Sequence, residues 1–74
     1  MITPLALKAL LDQAFPDSQV DVQSADNVHF SASIKSARFT GLSRVAQQQC
    51  VYAAVGDLIT NGTVHALSLQ TSAP

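Results

Sequence analysis

Apolar positions near the N-terminus fall at Leu7, Leu10, Leu11 and Ala14, the i, i+3, i+4, i+7 spacing of one helical stripe. Thr3 precedes Pro4, a capping hydroxyl followed by a proline whose missing N–H does no harm in a first turn. Pro16 stops the run, because the residue before a proline is pushed out of the helical region. The spacing predicts a helix over 4–15. The period then changes to two. Residues 19–24 put Val20 and Val22 on one face, and 28–35 put Val28, Phe30, Ala32 and Ile34 on one face with His29, Ser31, Ser33 and Lys35 on the other. An Ala-Asp-Asn linker at 25–27 joins them, so the pair reads as a hairpin.

Residues 36–43 have no period and contain Gly41, which predicts a turn or a short helical turn. A second helix follows, capped by Ser43, with Val51, Ala54, Val55, Leu58 and Ile59 at helical spacing and Asn61-Gly62 at its end. Its first turns, from Arg44 to Gln49, are polar and expected to be exposed on several sides. Residues 63–70 read as a last strand and 71–74 as a disordered tail. The order helix, strand, strand, helix, strand makes the second helix a right-handed crossover between parallel strands. The expected fold is therefore α+β: a two-layer sandwich with a three-stranded mixed sheet and helices on one face, in a single domain over 1–74.

Composition narrows the function. A chain of 74 residues hides only about 60% of its unfolded surface, so one small core is expected. Charged residues make up 12% of the chain and the net charge is -1, which argues against nucleic-acid binding as a default. Lys35, Arg38 and Arg44 nevertheless lie close enough in sequence to form one basic patch. Cys50 is the single cysteine, so no internal disulfide can form. No apolar run approaches the roughly 20 residues that span a bilayer, and the N-terminus lacks a basic leader, so no membrane association is expected and the expected location is cytoplasmic.

Catalytic chemistry is hard to assemble. The five aspartates, Asp12, Asp17, Asp21, Asp26 and Asp57, are isolated from one another in sequence. Cys50 falls inside a helix, away from the N-terminal dipole that would activate it, and reads as a small packing residue. No glycine-rich phosphate loop is present. The chain reads as a non-enzyme. His29 and His65 are the imidazoles, too few with Cys50 for a private four-ligand zinc site. Any metal would have to be shared across an interface. From spacing alone His65, inside the apolar stretch Val64-His65-Ala66-Leu67-Ser68-Leu69, is either a structural imidazole or a ligand on a rigid strand.

A longer pattern separates these readings. The segment from His29-Phe30 through Ser36, then Phe39-Thr40-Gly41-Leu42-Ser43-Arg44, Val51-Tyr52 and Val64-His65-Ala66, resembles the BolA family, particularly its short IbaG-like branch. Ala14-Phe15-Pro16 and the Val20-Asp21-Val22 strand also suit that family. The resemblance implies an αββ(α)αβ class II KH-like fold, with an extra short helix within 36–40. It implies a partner, a monothiol glutaredoxin, with which such proteins hold a [2Fe-2S] cluster completed by the glutaredoxin cysteine and glutathione. His65 occupies the place of the family's recurrent ligand on the last strand. Imidazole in place of thiolate would raise the cluster potential, as in Rieske centres. A second family ligand, His or Cys in the loop between the first two strands, has no direct counterpart in Ser24-Ala25-Asp26-Asn27. His29, just beyond that loop, and Asp26 are the remaining candidates. The family has also been described as DNA-binding transcriptional regulators linked to stress responses, and Lys35, Arg38 and Arg44 would carry that role here. A weak homodimer is compatible with all of this.

Overall fold

In the computed structural model, which describes residues 2–64 and 66–74, the elements run α1 (Pro4–Ala14), β1 (Gln19–Gln23), β2 (His29–Lys35), the short 3-10 helix η1 (Ala37–Phe39), α2 (Arg44–Thr60) and β3 (Ala66–Ser72). The strands form one sheet in the order β1-β2-β3. β1 and β2 pair antiparallel with Gln19 opposite Lys35, and β2 and β3 pair parallel with His29 opposite Ala66. This is the α+β mixed sheet expected from the alternation of periods.

Helix starts follow the local chemistry. Thr3 Oγ1 accepts the Ala6 N–H at 3.1 Å, and Ser43 Oγ accepts the Ala46 N–H at 3.1 Å. Each satisfies one of the donors that a first helical turn leaves open. α1 stops at Ala14, one residue before the expected end. Phe15 leaves helical geometry at φ -127°, ψ 74° while its N–H still reaches the Leu11 carbonyl. Asp17, at φ 62°, then turns the chain into β1, a left-handed position that Asp tolerates better than most residues. At the far end of α2, Gly62 takes φ 81° and donates to the Ile59 carbonyl. The Val64 N–H donates to the Leu58 carbonyl at 3.0 Å, which holds the chain against the helix before the strand begins.

β3 runs further toward the C-terminus than expected. The strand was expected over 63–70 with 71–74 as tail; among the described residues it covers Ala66–Ser72 and keeps Thr71 and Ser72 in register with Ile34 and Lys35. The Ser36 N–H donates to the Ser72 carbonyl at 3.0 Å, continuing the ladder into η1. The tail reading fails for Thr71 and Ser72, because polar residues are no obstacle to a strand whose partner supplies the hydrogen bonds; Ala73 and Pro74 lie beyond the strand.

Leu7, Leu11, Phe15, Phe30, Ala32, Ile34, Phe39, Val51, Val55 and Val64 form the core. Phe15 and Phe39 meet at 5.5 Å between ring centroids, tilted by 58°, a favourable edge-on arrangement. β2 alternates without exception, its even residues buried under the helices and its odd residues exposed. The opposite sheet face therefore carries Gln19, Asp21, Gln23, Ser31, Ser33, Lys35, Ser68, Gln70 and Ser72, and stays polar. Two positions of the expected stripes lie outside the core. Leu10 is 41% exposed and Ala54 is exposed, because each sits at the margin of a face centred on Leu7–Leu11 or Val51–Val55.

Candidate functional site

The loop between β1 and β2 is longer than expected, covering Ser24 to Val28, and its side chains build it. Ser24 Oγ donates to the His29 carbonyl at 2.6 Å and accepts the Asn27 N–H at 2.9 Å. Asn27 turns the chain at φ 58°. Asp26 then does the work of a cap: Oδ1 accepts the Val28 and His29 N–H groups, each at 2.9 Å. Its other oxygen, Oδ2, lies 2.9 Å from His29 Nδ1. A carboxylate with this many donors is strongly favoured in its charged form. The imidazole of His29 and then the backbone N–H groups of His29 and Val28 hold Asp26 well below the usual carboxylate range.

Because ionised Asp26 is acceptor only, Nδ1 of His29 must be the donor. The proton on Nδ1 leaves Nε2 of a neutral ring with a free lone pair. This carboxylate–imidazole pair is the arrangement that orients metal-binding histidines. The ring is 70% exposed, so the lone pair faces a space that a partner can enter. Asp26 is thereby assigned to orienting His29, since all four of its carboxylate contacts, a 3.4 Å one from Ser24 Oγ included, go to protein donors.

His29 opens β2 directly opposite Ala66. His65, the residue joined to Ala66 by the preceding peptide bond, lies outside the described residues. Cys50 is exposed on α2, beside an apolar groove of about 430 Å³ lined by Ala14, Phe15, Arg38, Ala53 and Ala54. Among the described residues, no three His, Cys, Asp or Glu side chains gather as a metal site.

The three basic residues part company. Arg38 places its guanidinium 5.5 Å from the Phe15 ring centroid and donates through Nη1 to the Ala14 carbonyl at 2.8 Å. It is engaged in capping α1. Lys35 and Arg44 border neighbouring depressions that share Ser33 and Ser72. Arg38 remains exposed at the end of α1, while Lys35 and Arg44 lie beside the residues that the two depressions share. The sequence reading also missed Ser24 and the orienting role of Asp26. The Ser-x-Asp-x-x-His spacing was the available signal, an Asx turn placed so that the same carboxylate reaches the third residue on.

Comparison with known proteins identifies the family of the chain. The family model described as "BolA: BolA-like protein" matches residues 8–74. "Acid stress protein IbaG" of Escherichia coli K12 is 32% identical over 68 residues, 92% of this chain and 80% of that protein. An uncharacterized Haemophilus influenzae protein is 39% identical over 46 residues, 62% of this chain and about half (54%) of that protein's length. The structure of a bolA protein homologue from Coxiella burnetii superposes with a TM-score of 0.83 at 29% identity, covering 100% of this chain and 94% of that one. BolA1 from Arabidopsis thaliana shares the fold at a TM-score of 0.82 and 21% identity, with 100% and 95% covered. Among the described residues no helix is long and apolar enough to cross a membrane. With the family model matching nearly the whole chain and a relative 32% identical across 92% of it, this protein belongs to the BolA-like family.

Proposed function

We propose that this chain is a non-catalytic, cytoplasmic BolA-like module that pairs with a monothiol glutaredoxin to hold a [2Fe-2S] cluster, in iron–sulfur trafficking or iron-responsive regulation. The observation that carries the reading is His29, an exposed imidazole tethered through Nδ1 to Asp26 with the Nε2 lone pair left free to ligate a metal. The donor chemistry fits a shared cluster. Cluster irons accept thiolate or imidazole, and this chain offers two imidazoles and one thiol, short of a full set. In this reading His65 is the principal ligand and His29 the second, with the glutaredoxin cysteine and glutathione completing the set. The bound cluster would supply one-electron chemistry and transferable iron and sulfur. The chain's own part is to fix an imidazole tautomer and to present it at one end of a rigid sheet. The name of the E. coli relative extends the proposal to a role in acid stress.

DNA binding would rest on Lys35 and Arg44, since Arg38 is committed to Phe15 and Ala14. Two cations on a chain of net charge -1 give a duplex little purchase, and the cluster reading is preferred.

The test is visible circular dichroism on anaerobic mixing with cluster-loaded monothiol glutaredoxin. Wild type is expected to produce a new spectrum, His65→Ala to lose it, and His29→Ala to alter it. A glutaredoxin spectrum left unchanged by wild type would sink the proposal.

A further inference from the structure

The two edges of the sheet are guarded very differently. β1 is five residues long, carries Asp21 at its centre and follows Pro16 and the left-handed turn at Asp17. These are the usual devices that stop an edge from pairing with another chain. β3, the opposite edge, is seven residues long, and Ala66-Leu67-Ser68-Leu69-Gln70-Thr71-Ser72 contains no charge, proline or glycine.

Its hydrogen-bonding groups can be assigned by alternation. The Ala66 N–H donates to the Val28 carbonyl and the Ser72 carbonyl accepts from Ser36, so the even residues face β2. The N–H and C=O groups of Leu67, Leu69 and Thr71 therefore point away from the sheet. Among the described residues, Tyr52 alone reaches this edge from a side chain, its hydroxyl donating to the Leu67 carbonyl at 3.4 Å. Leu69 and Thr71 are left open. Beside them runs a cavity of about 500 Å³ lined by Leu69 to Ser72 on one side and by Arg44 and Gln48 on the other. Arg44, Gln48 and Tyr52 succeed one another at i, i+4, i+8 along α2, flanking the edge. Val45 and Tyr52, on the same side of the helix, are 66% and 40% exposed. Among the described residues no carboxylate pairs with Arg44, the one charge on this groove.

We propose that the outer edge of β3 is a strand-addition site for an extended, acidic segment of a partner protein. The segment pairs with the open N–H and C=O groups of Leu69 and Thr71, and its carboxylate meets Arg44 at the Ser72 end. Main-chain pairing supplies affinity and the charge fixes direction. Arg44 and, past Ser72, Lys35 are too few cations for a phosphate backbone, which needs several along its track, so the uncharged edge favours a peptide. This site is independent of His29 and of the cluster reading.

The experiment is an amide-resolved NMR titration of the full chain with a short, blocked peptide that alternates valine and threonine and carries aspartate at one end. Shifts and slowed hydrogen exchange are expected at Leu69 and Thr71. A lysine-ended counterpart should bind about tenfold more weakly, and Arg44→Glu should reverse that order. Thr71→Pro removes an outward N–H without touching the ladder to β2, so it should keep the melting curve and lose binding. Equal binding of both peptides, or shifts confined to the open sheet face, would overturn the proposal. So would tighter binding of a single-stranded oligodeoxynucleotide at the same amides. Concentration-dependent shifts there without peptide would assign the edge to a second copy and overturn it equally.

Discussion

Arg38 offers the sharpest separation between a structural and a binding role. Its guanidinium covers the Phe15 ring and donates to the Ala14 carbonyl, one of the acceptors that α1 leaves open at its end. A cation stacked on an aromatic ring at an exposed site contributes about 0.5–1 kcal/mol. A cation at a helix C-terminus contributes about 0.3–1 kcal/mol. Arg38→Ala should therefore cost about 1–2 kcal/mol, and in a domain of this size each kcal/mol lowers Tm by about 4–8 °C. Arg38→Lys keeps the charge but loses the planar stack and should fall between. Arg44→Ala, which breaks no described contact, should stay within about 0.5 kcal/mol of wild type. Thermal unfolding followed by far-ultraviolet circular dichroism at neutral pH reads all three. If Arg38→Ala melts with Arg44→Ala, the contacts contribute nothing and Arg38 is free for another role.

Other outcomes follow from the same contacts. Leu7 is fully buried between α1 and the sheet, so Leu7→Ala should cost about 2–5 kcal/mol. At about 0.05–0.15 kcal/mol per residue, a large part of the chain's stability would go, and urea denaturation should show partial unfolding without denaturant. Asp26 has a folded value depressed from its ordinary 3.8, so the unfolded chain binds more protons in that range. Its contribution is present above 3.8 and is lost as pH falls toward the folded value; Asp26→Asn should flatten this acid limb, and a limb identical to wild type would contradict the pairing. Asp26→Asn should also weaken any metal binding at His29 by about 10–100-fold, measured with zinc as the probe, because the ring loses its orienting partner.

The fold was legible because the apolar period changes cleanly from helical to alternating and back. Thr3, Pro4, Ser43 and Gly62 mark helix ends by chemistry that acts within a few residues. The β3 boundaries were not legible. Val64 is held by Leu58 and Ser72 by Ser36, contacts that depend on where α2 and β2 lie in space. The candidate site was readable only in part. His29 and Asp26 stood out as residue types, but their coupling depends on the left-handed turn at Asn27, which brings a backbone cap and a side-chain contact onto one carboxylate. Likewise Arg38 looked like one member of a basic run, and only the packing of η1 on the end of α1 shows its guanidinium in use.

Native mass spectrometry of the anaerobic mixture with cluster-loaded monothiol glutaredoxin tests the central claim most directly. The account predicts a new species of one copy of each protein with two irons, two sulfides and glutathione, depleted when His65 is replaced by alanine. Glutaredoxin species of unchanged mass, beside this chain alone without iron, would contradict it.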